Sequence, residues 1–305
     1  MRAGARLAII GAPTSAGAFA PGQEDAPAAL REAGLLDALR SAGHEVVDRG
    51  DTPRFRWRVD HAEPRAMNAA AVVAGVHAVA ERVAEAIRTG ERPLVLGGDC
   101  TVGIGTVAGA VQAGTEPRLV YFDLHPDLNT PGSVPDGAFD WTGVAHMLDI
   151  EGVDERLAGA GPRRPLLHDD DVVFLGAGPG QSTAHERDVI EARGLRAIPV
   201  EAVRADPVTA AREAIADDRR FLVHFDVDVI DFSDVPLSEN TGRGIGVGFD
   251  TAFEALDALL AHEALLGVTV TELNPHHGAE DGSDVTRFVQ RLANAYRSAA
   301  GQAIR

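Results

Sequence analysis

Lysine is absent from the 305-residue chain, so all 28 basic residues are arginine. This excludes Schiff-base chemistry and a phosphate-cradling lysine. The single cysteine, Cys100, cannot form an intramolecular disulfide, and nothing calls for an oxidising compartment. Aromatic residues make up only 5% of the chain, and no apolar run approaches the roughly 20 residues that span a bilayer. Residues 1–6 carry no signal-peptide core, so a cytoplasmic location is expected. Basic charge is also short, since 46 acidic residues leave a formal net charge of −18. Such a field repels nucleic acid and anionic membranes, and it suits a small cation or a metal ion as partner.

What is present is regular. Short apolar runs at 7–10, 44–47, 93–96, 119–122, 172–175, 195–198, 221–225 and 266–270 read as buried strands. Between most of them lie Ala- and Glu-rich stretches with helical spacing, among them 26–41, 66–89, 208–216 and 251–262. Unbroken alternation predicts a single α/β domain over 1–305, a three-layer α/β/α arrangement with a mostly parallel sheet of about eight strands. Three irregular stretches, 51–64, 128–140 and 231–248, break the rhythm. In open α/β sheets ligands bind beyond the carboxyl ends of the strands, and the functional site is expected there.

Two of those strand ends are acidic. Asp123, His125 and Asp127 follow one apolar run at spacings of two, and Asp226 and Asp228 repeat the device on another. Strand alternation would put each set on one face. Carboxylates converging at buried strand ends need a cation, and carboxylate oxygen with imidazole suits a hard or borderline ion such as Mn(II). Capping of turns is the alternative, and it is the preferred reading for Asp99 in Gly97-Gly98-Asp99-Cys100.

The series Gly11-Ala12-Pro13, 22–35 with Pro27 and Arg31, Gly97-Gly98-Asp99, Asp123-Leu124-His125-Pro126-Asp127, Phe225-Asp226-Val227-Asp228 and Glu272-Leu273-Asn274-Pro275 resembles the arginase and agmatinase family, the ureohydrolases. The resemblance runs along nearly the whole chain. It implies hydrolysis of a linear guanidine or amidine C–N bond at a centre of two divalent ions, Mn(II) in the first instance. Position by position, it gives one ion Cys100, Asp123, Asp127 and Asp226, and the other Asp123, His125, Asp226 and Asp228. It makes Asp127 the residue that orients the nucleophile and Glu272 the carboxylate that holds the substrate's cationic head. Self-association into a homo-oligomer is also expected.

The chain departs from the family at several places. Cys100 stands where a histidine ligand is usual, which would shift metal preference from Mn(II) toward Zn(II) or Fe(II). Asp140 stands where a proton-transferring histidine is usual, and His146 reads as a helix-face residue. Asn129 is retained at a substrate-carboxylate position, while the other two such positions are Asp136 and Ala138. The expected substrate is therefore a cationic guanidino, N-hydroxyguanidino or formimino compound other than L-arginine. Glu239, Asn240 and Arg243 stand in an unusual loop, open to a substrate or a structural role. A metal-binding relative without hydrolytic activity is the rival reading. A deacetylase of the related type would need paired histidines near the metal, and His276-His277 is not placed for it.

Overall fold

The computed structural model describes residues 5–302 apart from Pro179 and Asp218. Eight strands are formed: β1 (Arg6–Gly11), β2 (Glu45–Asp51), β3 (Arg92–Leu96), β4 (Arg118–Phe122), β5 (Val172–Gly176), β6 (Arg196–Pro199), β7 (Phe221–Asp226) and β8 (Leu265–Thr271). Each coincides with one of the apolar runs. All seven pairings are parallel, in the order β2-β1-β3-β8-β7-β4-β5-β6. Parallel strands need crossovers that cover both faces, so the inner strands read as near-continuous apolar runs and not as alternating ones. β4, β7 and β8 are buried at every position.

One face of the sheet packs Leu7, Leu96, Phe122 and Phe225 against helices that include Phe249–Leu260 and Ser283–Gln302. The other packs Tyr121, Phe174 and Leu222 against Ala69–Arg88 and Val102–Gln112. This is the expected three-layer arrangement. The helix expected over 26–41 is broken into Ala26–Glu32 and Leu35–Ser41, because Gly34 takes φ 86° between them. That left-handed conformation ends a helix and is open to glycine without steric cost. Two capping devices fix later helices. Thr183 and Glu186 form a reciprocal capping box, and Asp206 accepts from Thr209 N ahead of Pro207.

The sheet edges are short or charged. β6 has four residues and ends in Pro199. β2 presents Glu45, Asp48, Arg49 and Asp51, with Arg31 paired to Asp48 and Asp51 and Arg49 paired to Glu85 and Glu91.

His146 lies in the short helix Gly143–Met147 and is buried. Its Nδ1–H donates to Thr142 O at 2.7 Å, and its Nε2 accepts from Asp154 N at 3.0 Å. Both nitrogens are thereby used in the fold, which makes it a structural histidine. Burial pushes its pKa from 6.5 down to about 4. The unfolded chain then binds a proton that the native state refuses, so stability is complete above pH 6.5 and is lost as pH falls toward 4. Urea unfolding should show His146→Gln losing about 3 kcal/mol less than the wild type over that interval. Equal acid sensitivity of the two proteins would contradict this.

Candidate metal centre

The strand order places the ends of β3, β8, β7 and β4 side by side. The chain leaving β3 must pass very close to its neighbours. A Cβ on Gly98 would lie 1.6 Å from Thr14 O, so only glycine fits there. Asp99 is consumed by this turn, accepting from Gly17 N at 2.9 Å and from Thr101 N and Oγ1. It therefore acts as the structural acceptor expected. Cys100, buried, is turned toward β7.

The carboxylate sets converge, but not through strand alternation. β4 ends at Phe122 and β7 at Asp226. Beyond each strand the chain folds over an aspartate. Asp123 Oδ1 accepts from His125 N at 2.7 Å, and Asp226 Oδ1 accepts from Asp228 N at 2.7 Å. These Asx turns bring the i+2 side chain back beside the first. His125 Nδ1 then lies 3.0 Å from Asp228 Oδ2 and 3.4 Å from Asp123 Oδ1, while Cys100 Sγ lies 2.9 Å from Asp226 Oδ2.

The electrostatics are those of a cluster awaiting positive charge. Burial, then the charge of Asp228, raises Asp123 to about 7. Burial and the neighbouring aspartates also push Asp226 and Asp127 well above the carboxylate range. Burial, reinforced by Asp226, pushes up the Cys100 thiol. Burial opposes the charged forms of Asp228 and His125 too, yet their pairing outweighs it, so Asp228 is lowered and His125 raised. Among the described residues Asp123 Oδ2 and Asp228 Oδ1 are buried without a hydrogen-bond partner. Unpaired buried acceptors of this kind are costly unless a cation meets them. The residues present thus fit a divalent metal. Two donor groups have their ligand atoms within 4.8 Å of one another: Cys100, Asp123, His224 and Asp226, and Asp123, His125 and Asp228.

Asp127 stands apart from both groups. Its Oδ2 accepts the hydroxyl of Tyr121, and its backbone has φ 49°. Glu272, also at positive φ (60°), is buried beyond β8, not exposed on the surface. Its Oε1 accepts from Cys100 N at 2.8 Å, and its Oε2 accepts from Gln23 Nε2. Positive φ at non-glycine residues costs of the order of 1–3 kcal/mol and is concentrated at functional positions.

Cys100, His125, Asp127, Asp226, Asp228 and Glu272 open into one cavity of about 610 Å³, which Asn129, Asp136 and Asp140 also line. Among the described residues eight carboxylates and no arginine line it, so an anionic ligand is disfavoured and a cationic one attracted. Ala138 is buried outside the lining. Burial, then Asp99 and Asp136, raises the Asp140 pKa well above the ordinary value. Of the unusual loop, Glu239 and Asn240 face the cavity, whereas Arg243 lies over the Phe232 ring. His277 also lines the cavity, while His276 is exposed and paired with Asp25. The irregular stretch 51–64 contributes nothing to the lining.

Gln23, Tyr121 and His224 are among the residues at the site that the sequence reading did not single out. Gln23 sits within a quoted motif but carries no distinctive chemistry. His224 had a signal, as a polar residue inside an otherwise apolar strand, two positions before Asp226.

The family model of the arginase family matches residues 5–294. Arginase of Bacillus subtilis (strain 168) is 28% identical over 292 residues, covering 94% of this chain and 97% of the relative. Arginase-1 of Oryctolagus cuniculus is 28% identical over 290 residues, covering 93% and 89%. The solved arginase of Bacillus caldovelox superposes with a TM-score of 0.82 at 25% identity, covering 96% of this chain and 98% of that one. Formimidoylglutamase of Bacillus subtilis shares the fold, with a TM-score of 0.71 at 19% identity over 96% of this chain and 87% of that one. With strand order, acidic strand ends and sequence match in agreement along the chain, this protein belongs to the arginase family.

Proposed function

We propose that this arginase-family hydrolase cleaves a C–N bond of a linear guanidino, N-hydroxyguanidino or formimino compound other than L-arginine, at a centre of two divalent cations. The observation that carries the reading is the unpaired acceptor Asp228 Oδ1 and the buried Glu272 carboxylate facing one acidic cavity, with the unpaired Asp123 Oδ2 in the donor groups behind it. Cys100, Asp123, His125, Asp226 and Asp228 would hold the ions, with Asp123 and Asp226 shared and Asp127 close by. The harder His125 side suits Mn(II), and the Cys100 side suits Zn(II) or Fe(II). When bound, such ions supply Lewis-acid stabilisation and a nucleophile drawn from water at neutral pH.

The chain's own residues supply the rest. Glu272 presents two oxygens, braced from behind by Cys100 N and Gln23, to the planar cationic head of the substrate. Asp127, held on one oxygen by Tyr121, orients the attacking water with the other. Asp140, whose carboxyl burial pushes above the ordinary carboxylate range, carries a proton to the leaving nitrogen. Asn129 and Asp136 meet the substrate tail. The products are then urea, a urea derivative or formamide.

Asp140→Asn keeps the shape and removes the transferable proton. Its kcat is expected to fall about 10²–10⁴-fold, with KM nearly unchanged and the alkaline limb of the wild-type kcat profile lost. An unaltered profile would refute the assignment.

One sheet running from Arg6 to Thr271 supports a single catalytic domain. Among the described residues no helix is long and apolar enough to cross a membrane. A cytoplasmic homo-oligomer acting on a small molecule, without nucleic acid or membrane partners, completes the proposal. The test is release of urea, a substituted urea or formamide from a panel of guanidino, N-hydroxyguanidino and formimino compounds at defined metal loading. No metal-dependent turnover on any of them would favour the non-hydrolytic rival.

A further inference from the structure

His224 of β7 takes no part in the proposed chemistry, yet it is wholly buried against the centre. Its ring stacks on Tyr121, with centroids 4.2 Å apart and planes 11° from parallel. The edge of the ring that carries Nδ1 is accommodated by a missing side chain. A Cβ on Gly103 would lie 2.5 Å from His224 Nδ1. Stacking and clearance together fix the direction of the ring, and its Nε2 stands 3.4 Å from Cys100 Sγ and 3.0 Å from Thr271 Oγ1. Nδ1 has no hydrogen-bond partner in the described residues.

A histidine kept only for packing is expected to have both nitrogens satisfied, as His146 does. His224 has Nδ1 unpaired on the Gly103 side and Nε2 shared between the Thr271 hydroxyl and a thiol, in a group that also contains the unpaired Asp123 Oδ2. The four donor atoms of Cys100, Asp123, His224 and Asp226 lie within 4.8 Å of one another. One sulfur, one nitrogen and two oxygens make a four-donor set of the kind Zn(II) takes tetrahedrally. The neighbouring set of Asp123, His125 and Asp228 has no sulfur and is the harder of the two.

We infer that His224 is itself a metal ligand. From β7 it supplies the nitrogen donor that position 100 lacks, and with Cys100, Asp123 and Asp226 it forms a site selective for a Zn(II)-like ion, so that the centre takes two different metals. This rests on the reading of the cluster as a cation site, and the experiment separates the two.

Metal-stripped wild-type protein titrated with Co(II) should develop a thiolate charge-transfer band and the intense visible bands of a four-coordinate ion within the first equivalent. Zn(II) should abolish both. X-ray absorption of the one-equivalent Zn(II) protein should show one sulfur, with imidazole scattering in its shell. His224→Phe keeps an aromatic ring over Tyr121 without a nitrogen. It should weaken first-site Zn(II) binding at least about 10-fold, change the visible Co(II) bands, and leave Mn(II) binding at the other site within about 3-fold. Gly103→Ala, a favourable change within a helix, should displace the ring and weaken the same site, which keeps the test valid if His224→Phe does not fold. Visible Co(II) bands and first-site Zn(II) affinity that are identical in wild type and both variants would overturn ligation by His224 while leaving the metal centre intact. A wild-type protein that takes up no divalent ion at all would overturn both readings.

Discussion

Asp226→Ala is expected to lower bound divalent metal below about one ion per chain and to reduce kcat/KM by at least about three orders of magnitude. Its two oxygens are engaged on opposite sides, Oδ1 by Asp228 N and Oδ2 by Cys100 Sγ, so the carboxylate stands between the two donor groups. A residue needed only for folding would behave differently. Burial and the adjacent carboxylates already push Asp226 toward its neutral form, which means its charge opposes the metal-free fold. The variant loses that repulsion together with the turn contact to Asp228 N, so the deciding readout is the response to metal: added metal should raise the melting temperature of the wild type only. Metal analysis, thermal melting with and without chelator, and kcat/KM supply the three readouts. Wild-type metal content and turnover in the variant would refute the shared-ligand assignment.

The second large effect is discrimination against L-arginine, expected at about 10²–10⁴-fold in kcat/KM relative to the best substrate. The tail end of the cavity offers an α-carboxylate little. Asp136 brings a negative charge, with Oδ1 accepting from Ala138 N, and Ala138 contributes no polar side chain. Asn129 has its Oδ1 taken by Ser133 and Thr183, which leaves its unpaired Nδ2 as the one donor of that trio. Agmatine has the head group of L-arginine and no carboxylate, so that comparison isolates the tail. N-hydroxy-L-arginine has the same tail with an extra donor near Asp140, which isolates the head. A formimino amino acid tests the remaining class. Asp136→Ser should narrow the gap between L-arginine and agmatine. L-arginine as the best of the four would show that Asp136, Ala138 and Asp140 have been misread.

The strands were legible because a parallel sheet covered on both faces leaves its strands as continuous apolar runs, and every one of the eight runs became a strand. Their order was not, because pairing between β3 and β8, or β4 and β7, depends on contacts that no local pattern encodes. The carboxylates were found for an incomplete reason. Alternation suggested that they share a face, whereas Asx turns beyond the strand ends bring them together. His224 was hidden by the same blindness to pairing. Within Phe221–Asp226 it reads as a polar interruption, and its meaning depends on Cys100 arriving from β3 and on the space left by Gly103. Gln23 is legible only once Glu272 is known to lie beside it.

The edges of the sheet bear on how copies of the protein can meet. An exposed edge strand is a template for another chain, and it is the usual route to runaway association. Here one edge, β6, has four residues and closes on Pro199, which has no N–H to donate. The other, β2, is screened by the ion pairs of Arg31 and Arg49, and Arg82 caps the carbonyls of Arg49 and Asp51. Growth by strand addition is thus blocked at both ends. Contacts between copies of this protein would then fall to its helical faces and loops rather than to the sheet.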